Sequence, residues 1–295
     1  MATSDRPEPG DDSLVLHPRD VQFDWETLPL HWIPGEPFAT HTINVLHLLL
    51  PEGERWFVRT FTQALPLIRD DRLREDVRGF IGQETMHAEA HNEVVEHLNA
   101  CGIDPGPYVR QVEWIFRDLL GDRAGLSERA RRRYLVERLA VIAAIEHFTA
   151  FLGHWVLNAR ELDAAGADPD MLDLLRWHGS EEVEHRHVAF DVARHVHRSY
   201  PLRVRSALSV AYMLIMLWWR GLRFFIEADP VLSQRKRARL RSFMRAAGRG
   251  LLPRIRHMVR WMLRYLRPGY HPSWDCSTPQ AVAYLASSPA ARAAR

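Results

Sequence analysis

Apolar residues along this chain recur three and four positions apart, and no segment alternates apolar and polar residues for a useful length. That spacing collects side chains on one face of an α-helix, whereas a strand needs a period of two. The punctuation between the apolar stretches is that of helix ends. Pro34-Gly35-Glu36-Pro37 is a turn cluster, and Phe38 to Leu50 reads as a short helix interrupted at Pro51. Proline is accommodated in a first helical turn, so Pro51 is expected to open a new helix ending near Asp70. Asp70 or Asp71 caps the next helix, which stops at Gly102. A connecting helix covers 104–121, with Val109, Val112, Ile115, Phe116 and Leu119 as its apolar stripe. Ser127 caps the longest helix, running to about Ala165. Asp168 and Pro169 restart the chain as a fourth long helix that ends near Ser199. The pattern predicts an all-α protein, a four-helix bundle over 34–200 with additional C-terminal helices.

The flanks have a different character. Residues 1–33 are polar, acidic and proline-bearing, and read as an N-terminal arm, partly disordered. Ser206 to Trp219 is almost free of polar groups, but a membrane-spanning helix needs about 20 residues and this run is shorter. Helical segments around 230–247 and 251–267 interleave apolar positions with arginines. The expected division is therefore an arm over 1–33, the bundle over 34–200, a basic and aromatic helical appendage over 201–274, and a frayed tail over 275–295.

Candidate chemistry lies where ionisable residues interrupt the helical faces. Glu84, His87 and His91 are three and four apart, so they share a face of the second bundle helix. His178, Glu182 and His185 repeat the arrangement on the fourth. Glu146 follows the apolar run Ile142-Ala143-Ala144-Ile145 on the third helix, and Glu54 lies on the first. A Glu-x-x-His on two helices plus one Glu from each of two others is how a four-helix bundle holds a carboxylate-bridged pair of metals. A carboxylate inside a bundle is costly unless paired or metal-bound. Four carboxylates offset the charge of two divalent ions, and two imidazoles complete the protein donors.

On the fourth helix, Glu184 with His187 competes with Glu182 and His185. The latter pair is preferred, because it leaves Glu181 beside a ligand Glu, in place to hold a ligand histidine by its distal nitrogen. Gln83 stands in the corresponding place on the second helix. His91 and His178 are open between extra ligand, support for a ligand, and plain core hydrogen bonding. Glu54, expected in a first turn, has the rival explanation of complementing a helix dipole.

Charge adds an asymmetry to this picture. The net charge of +2 conceals eighteen Arg or Lys against three acids over 201–295, leaving an acidic body before it. The basic region reads first as helices with an arginine-rich solvated face. Its apolar run, tryptophans and arginines also suit contact with a membrane surface through residues 206–267. No motif that reads nucleic acid accompanies the arginines, so no nucleic-acid partner is expected. Two cysteines, Cys101 and Cys276, make neither a disulfide framework nor a metal spacing. The N-terminus lacks the apolar core of a signal peptide. The expected location is cytoplasmic, with peripheral contact on the inner membrane face.

Pro34-Gly-Glu-Pro, Pro51-Glu-Gly-Glu54-Arg-Trp-Phe, Gln83-Glu84-x-x-His87-x-x-x-His91-Asn, Glu146-His147, Glu181-Glu182-x-Glu-His185-Arg-x-Val-Ala-Phe-Asp191 and Gly269-Tyr-His-Pro resemble the bacterial family named "predicted metal-dependent hydrolase". The resemblance runs from about Trp32 to about Trp274. It implies a ferritin-like ligand pattern, with a di-metal site at Glu54, Glu84, His87, Glu146, Glu182 and His185. The favoured function is an O₂-activating di-iron oxidase or oxygenase acting on an apolar small molecule, with an electron-donor protein. The alternative is a metal-dependent hydrolase using a metal-bridging hydroxide. A non-catalytic metal-binding or membrane-associated protein is third. The cofactor expected is two metal ions, iron first, with manganese or zinc as substitutes. A homodimer is a further expectation.

Overall fold

The computed structural model describes residues 14–232 and 238–294, and among them there is no strand. Twelve α-helices follow one another: α1 Pro37–Ala64, α2 Asp71–Ala100, α3 Gly106–Glu113, α4 Glu128–Asn158, α5 Arg160–Ala164, α6 Pro169–His185, α7 Val188–Val196, α8 Tyr200–Ala228, α9 Leu240–Gly248, α10 Ile255–Tyr265, α11 Thr278–Ser287 and α12 Pro289–Ala293. α3 runs on into a π-helical turn, Trp114–Leu119. The long helices begin where their capping residues stand. The Asp70 carboxylate accepts from the Leu73 N–H, Ser127 from Ala130, and Asp168 from Asp170 and Met171.

α1, α2, α4 and α6 enclose the interior. α1 lies along α2 and α4 along α6, while α1 also meets α4 and α2 meets α6. α4 and α6 approach so closely at Gly153 and Gly179 that a Cβ on Gly179 would lie 2.8 Å from the Gly153 Cα. No larger residue at either position fits that crossing without displacement.

Several sequence expectations change. Pro51 does not begin a helix; it lies inside α1, which is continuous from Pro37 to Ala64. An interior proline deprives the backbone of a hydrogen bond. Here, burial of Leu48 and Leu49 before it and Trp56, Phe57 and Phe61 after it holds both halves in one element. The fourth bundle helix does not reach Ser199 but ends at His185. Beyond it, Arg186 is buried and its guanidinium donates to the carbonyls of Val183, Pro272 and Ser273 and to the Thr278 hydroxyl. That anchorage turns the chain into α7.

The terminal regions are also more ordered than their composition suggests. Instead of a frayed tail, α11 and α12 lie along α6. The Tyr284 hydroxyl donates to Asp173 Oδ1 at 2.8 Å, and the Ala290 N–H to Asp173 Oδ2 at 3.0 Å. Of the arm, residues 1–13 lie outside the described residues; the remainder is packed. Leu16, Val21, Leu28 and Trp32 are buried, and the Trp32 indole N–H donates to Asn44 Oδ1 at 2.7 Å.

In the appendage, the apolar run belongs to the 29-residue α8, which is long and apolar enough by length and composition to cross a membrane. One face of α8 is packed: Leu217, Leu222 and Phe225 are buried, and Trp218 donates to the Thr42 carbonyl of α1 at 2.8 Å. The other face exposes Leu208, Tyr212, Ile215, Met216 and Trp219. The helix expected over 230–247 is α9 alone; residues 233–237, with the single lysine Lys236, lie outside the described residues.

Candidate metal centre

Each enclosing helix turns a carboxylate inward from near its middle or last turns. Glu54 comes from α1, Glu84 from α2, Glu146 from α4 and Glu182 from α6, and none is more than 3% exposed. Because α1 is continuous, Glu54 lies well away from a helix N-terminus, and the dipole explanation for it falls away.

One donor atom each from Glu84, Glu146, Glu182 and His185 lies within 4.8 Å of every other, and the same holds for Glu54, Glu84 and His87, and for His87, His178 and Glu182. Glu84, His87 and Glu182 thus each belong to more than one of these groups. His185 Nε2 is 3.2 Å from Glu84 Oε1 and from Glu146 Oε2, and 3.5 Å from Glu182 Oε2. His87 Nδ1 is 3.9 Å from both Glu84 Oε1 and Glu182 Oε1.

The outer sides of the two imidazoles are held by an exchange across helices. His87 of α2 donates from Nε2 to Glu181 Oε2 of α6 at 2.9 Å. His185 of α6 is 3.1 Å from Gln83 Oε1 of α2 through Nδ1. The Gln83 amide donates to Glu184 at 3.1 Å, so its oxygen accepts from His185 Nδ1–H. These bonds orient His87 Nδ1 and His185 Nε2 toward the carboxylates. The residue preceding each helix's inward Glu therefore positions the other helix's histidine.

His178 and His91, left open by the sequence, separate here. His178 Nε2 faces the cluster, 2.8 Å from Glu182 Oε1 and 3.7 Å from Glu54 Oε1. Its Nδ1 meets His91 Nε2 at 2.5 Å, and His91 Nδ1 meets His47 Nδ1 at 2.7 Å. His178 presents a third inward nitrogen, with His91 and His47 in file behind it. Trp177 packs edge-on to His87, and Phe80 edge-on to His185. Phe61 packs on Phe80, Phe57 is buried beside Trp56, and Phe148 packs with Phe151 and Trp218.

Both oxygens of Glu54, Glu84 and Glu146, His87 Nδ1 and His185 Nε2 are buried with no hydrogen-bond partner. An unsatisfied buried polar atom costs about 1–3 kcal/mol, more when charged, so a convergent set of them calls for an explanation. Electrostatics points the same way. Burial, and then repulsion from the neighbouring glutamates, raises Glu54 and Glu84 well above the usual carboxyl range. Burial and Glu182 push Glu146 up to about 7. Burial opposes charge on His185, but Glu182 and Glu146 override it and raise the imidazole to about 10. Burial likewise opposes charge on Glu182, and His185 and His178 override it, holding the carboxyl well below its usual range. Burial keeps His87 neutral, with a lone pair to donate. The donor set is rich in carboxyl groups, dry and short of positive charge to let them ionise, which fits metal ions.

Sequence reasoning missed three contributors, Arg19, His47 and Thr149. Arg19 of the arm reaches in to Glu181 at 2.6 Å and Glu184 at 3.1 Å, tying down both acids behind the histidines. No periodic signal marks an arginine in an irregular arm. Glu184 faces Arg19 and Gln83, and His187 lies in the turn beyond α6. His47, between two leucines in an apolar run, did carry a signal, that of a buried polar residue. Thr149, one turn from Glu146, donates its hydroxyl to Glu182.

No curated protein and no solved structure matches the chain. A family described as "Predicted metal-dependent hydrolase" matches residues 17–275, a span that takes in the arm with Arg19, all four enclosing helices and the loop that anchors Arg186. The clustered donors and this match together support a metal-dependent enzyme. With nearly its whole length matched, the chain belongs to the predicted metal-dependent hydrolases.

Proposed function

We propose that this protein is a two-metal carboxylate enzyme whose ions are held by Glu54, Glu84, His87, Glu146, Glu182 and His185, with His178 as a third nitrogen donor. The observation that carries the proposal is the gathering of eight unpartnered buried donor atoms in overlapping clusters between four helices. Glu54, Glu84 and Glu182 each fall in two of the donor groups, which supports counting them among the carboxylates that would hold the ions. Two ions there would supply Lewis acidity to a substrate oxygen and, with redox-active iron, electrons to dioxygen. The chain's own part is to hold the donors dry and in fixed tautomers. Glu181 and Gln83 keep the histidine lone pairs inward, and Arg19 neutralises the acids behind them.

Hydrolysis is the reaction class that the family description supports. Dioxygen activation is the second reading, and two observations favour it. Four glutamates with histidines in a four-helix bundle are the donors of di-iron and di-manganese proteins, harder than a zinc site prefers. The donors are also sealed from solvent, which suits a small apolar oxidant. One experiment separates the readings. The protein is purified, its metals are identified and counted, and samples loaded with iron, manganese or zinc are assayed on ester, amide and phosphoester substrates. The iron form is also reduced without air and mixed with O₂. Turnover of a hydrolysable substrate with no response to O₂ establishes the first reading. A transient visible absorption with about two irons per chain establishes the second. Failure of any metal to bind stoichiometrically overturns both.

A further inference from the structure

Away from the metal centre, a cavity of about 170 Å³ opens where α4, α7, α8 and α10 meet. Its inner wall is apolar, formed by Ala140 and Ala143 of α4, Phe190 of α7 and Tyr265 of α10. Its mouth is basic: Arg194, Arg198 and Arg203 line it, and no carboxylate side chain does. None of the three arginines forms an ion pair with a carboxylate among the described residues, although the molecule as a whole carries 37 acids. Arg203 is only part-exposed. Its guanidinium lies over the rings of Phe190, Tyr200 and Tyr265 at 5.0–5.6 Å, one Nη donates to the Arg267 carbonyl at 2.5 Å, and its Nε is buried without a partner. Burial disfavours its charge and Arg194 adds repulsion. The N-terminus of the 29-residue α8, starting at Tyr200, adds its partial positive charge at the same mouth.

A cationic group held out of water over an apolar chamber, with no acid to meet it, is short of an anion. We propose that this cavity binds a small amphipathic anion: a carboxylate or phosphate monoester seated among Arg194, Arg198 and Arg203, with a short apolar body against Ala140, Phe190 and Tyr265. Dry engineered cavities of about 150 Å³ hold a benzene ring, so the body that fits has about six carbons. The headgroup meets guanidinium donors suited to planar or tetrahedral oxyanions. The cavity shares Arg194, Arg198 and Pro268 with a larger polar cleft of about 670 Å³, whose wall also carries Asp70, Asp76, Asp191 and Glu184, the last of which accepts from Gln83 behind His185. A headgroup at the shared arginines therefore sits where the two chambers join. The inference rests on the cavity and its charges, and stands apart from the chemistry of the metal centre.

Calorimetric titration of the full-length protein tests it with four probes: hexanoate, hexyl phosphate, hexanol and inorganic phosphate. Hexanoate, hexyl phosphate or both are expected to bind at least about tenfold more tightly than either hexanol or inorganic phosphate, and the better of the two names the headgroup. Ala140→Leu, which fills the chamber, and the exposed pair Arg194→Met with Arg198→Met are each expected to weaken binding by about tenfold or more. Circular dichroism checks that the variants are folded, and the exposed arginine pair keeps the test decisive if Ala140→Leu does not fold. Equal affinity for hexanol and hexanoate, or for inorganic and hexyl phosphate, overturns the proposal. Binding that survives the arginine pair unchanged overturns it as well.

Discussion

At the scale of single residues, the site depends on pairs that look dispensable in isolation. Gln83 and Glu181 never face the cluster, yet each fixes the tautomer of a histidine on the other helix. Support of this kind is worth 10–100-fold in metal affinity. Gln83→Ala and Glu181→Ala are therefore expected to raise the metal dissociation constant by about that factor while leaving the stoichiometry at saturation intact, as read by competition with a chelating dye. The proposed donors are expected to behave differently. Glu146→Ala and His185→Ala are expected to reduce bound metal to one ion or fewer per chain by elemental analysis, with helix content retained; two tightly held ions in both variants would remove these residues from the site. His178→Ala tests whether the third inward nitrogen is a donor. A changed ligand-field spectrum of the cobalt-substituted protein is expected, and an unchanged one would assign His178 to the hydrogen-bonded file with His91 and His47.

At the scale of elements, the centre exists because helices are held at particular depths and angles. The close crossing of α4 and α6 at Gly153 and Gly179 brings Glu146 and Glu182 to the same level. Gly153→Ala or Gly179→Ala inserts a methyl where backbone already stands, and overpacking of this kind costs about 1–3 kcal/mol. Either variant is expected to lower the Tm and loosen metal binding together, whereas Gly248→Ala, with open space around it, should leave both unchanged. The end of α6 matters equally. Buried Arg186 fixes the chain just past His185 to the loop at 272–278, so Arg186→Ala strips donors from several carbonyls and a hydroxyl and is expected to destabilise the last turn that carries His185.

At the scale of the whole molecule, charge and stability are linked through pH. In the protein groups alone, Glu146 titrates at about 7 rather than 4.5, and Glu54 and Glu84 are raised as well. A carboxyl raised on folding stabilises the fold while it is protonated, fully below its unfolded pKa, and that contribution fades as pH rises through the folded value. Buried neutral histidines such as His87 act in the opposite direction over the same interval, so the carboxyl contribution is read against Glu146→Gln: relative to that variant, the Tm of chelator-treated protein is expected to fall between about pH 5 and pH 7. Metal binding takes the deprotonated form, so uptake should release protons and affinity should rise over the same interval. A Tm difference from Glu146→Gln that stays flat across this range would contradict the raised Glu146 carboxyl. The basic region needs no part in this balance, because its described arginines over 201–267 lie outside the enclosed interior.

Much of this protein was legible in the chain itself, for local physical reasons. Helical spacing, Asp70, Ser127 and Asp168 as caps, and the i, i+3, i+4 placement of Glu84, His87, His178, Glu182 and His185 follow from backbone geometry that needs no partner. Pro51 misled because the rule it obeys is local, while burial on both sides of it is not. Tertiary structure alone decided that Gln83 and Glu181 serve each other's helices, that Arg19 crosses from an irregular arm to two buried acids, and that His91 stands behind His178. It also decided that three arginines without acids ring one apolar chamber. Such relations join residues far apart in sequence, and a periodicity shows which face a residue occupies but not what meets that face.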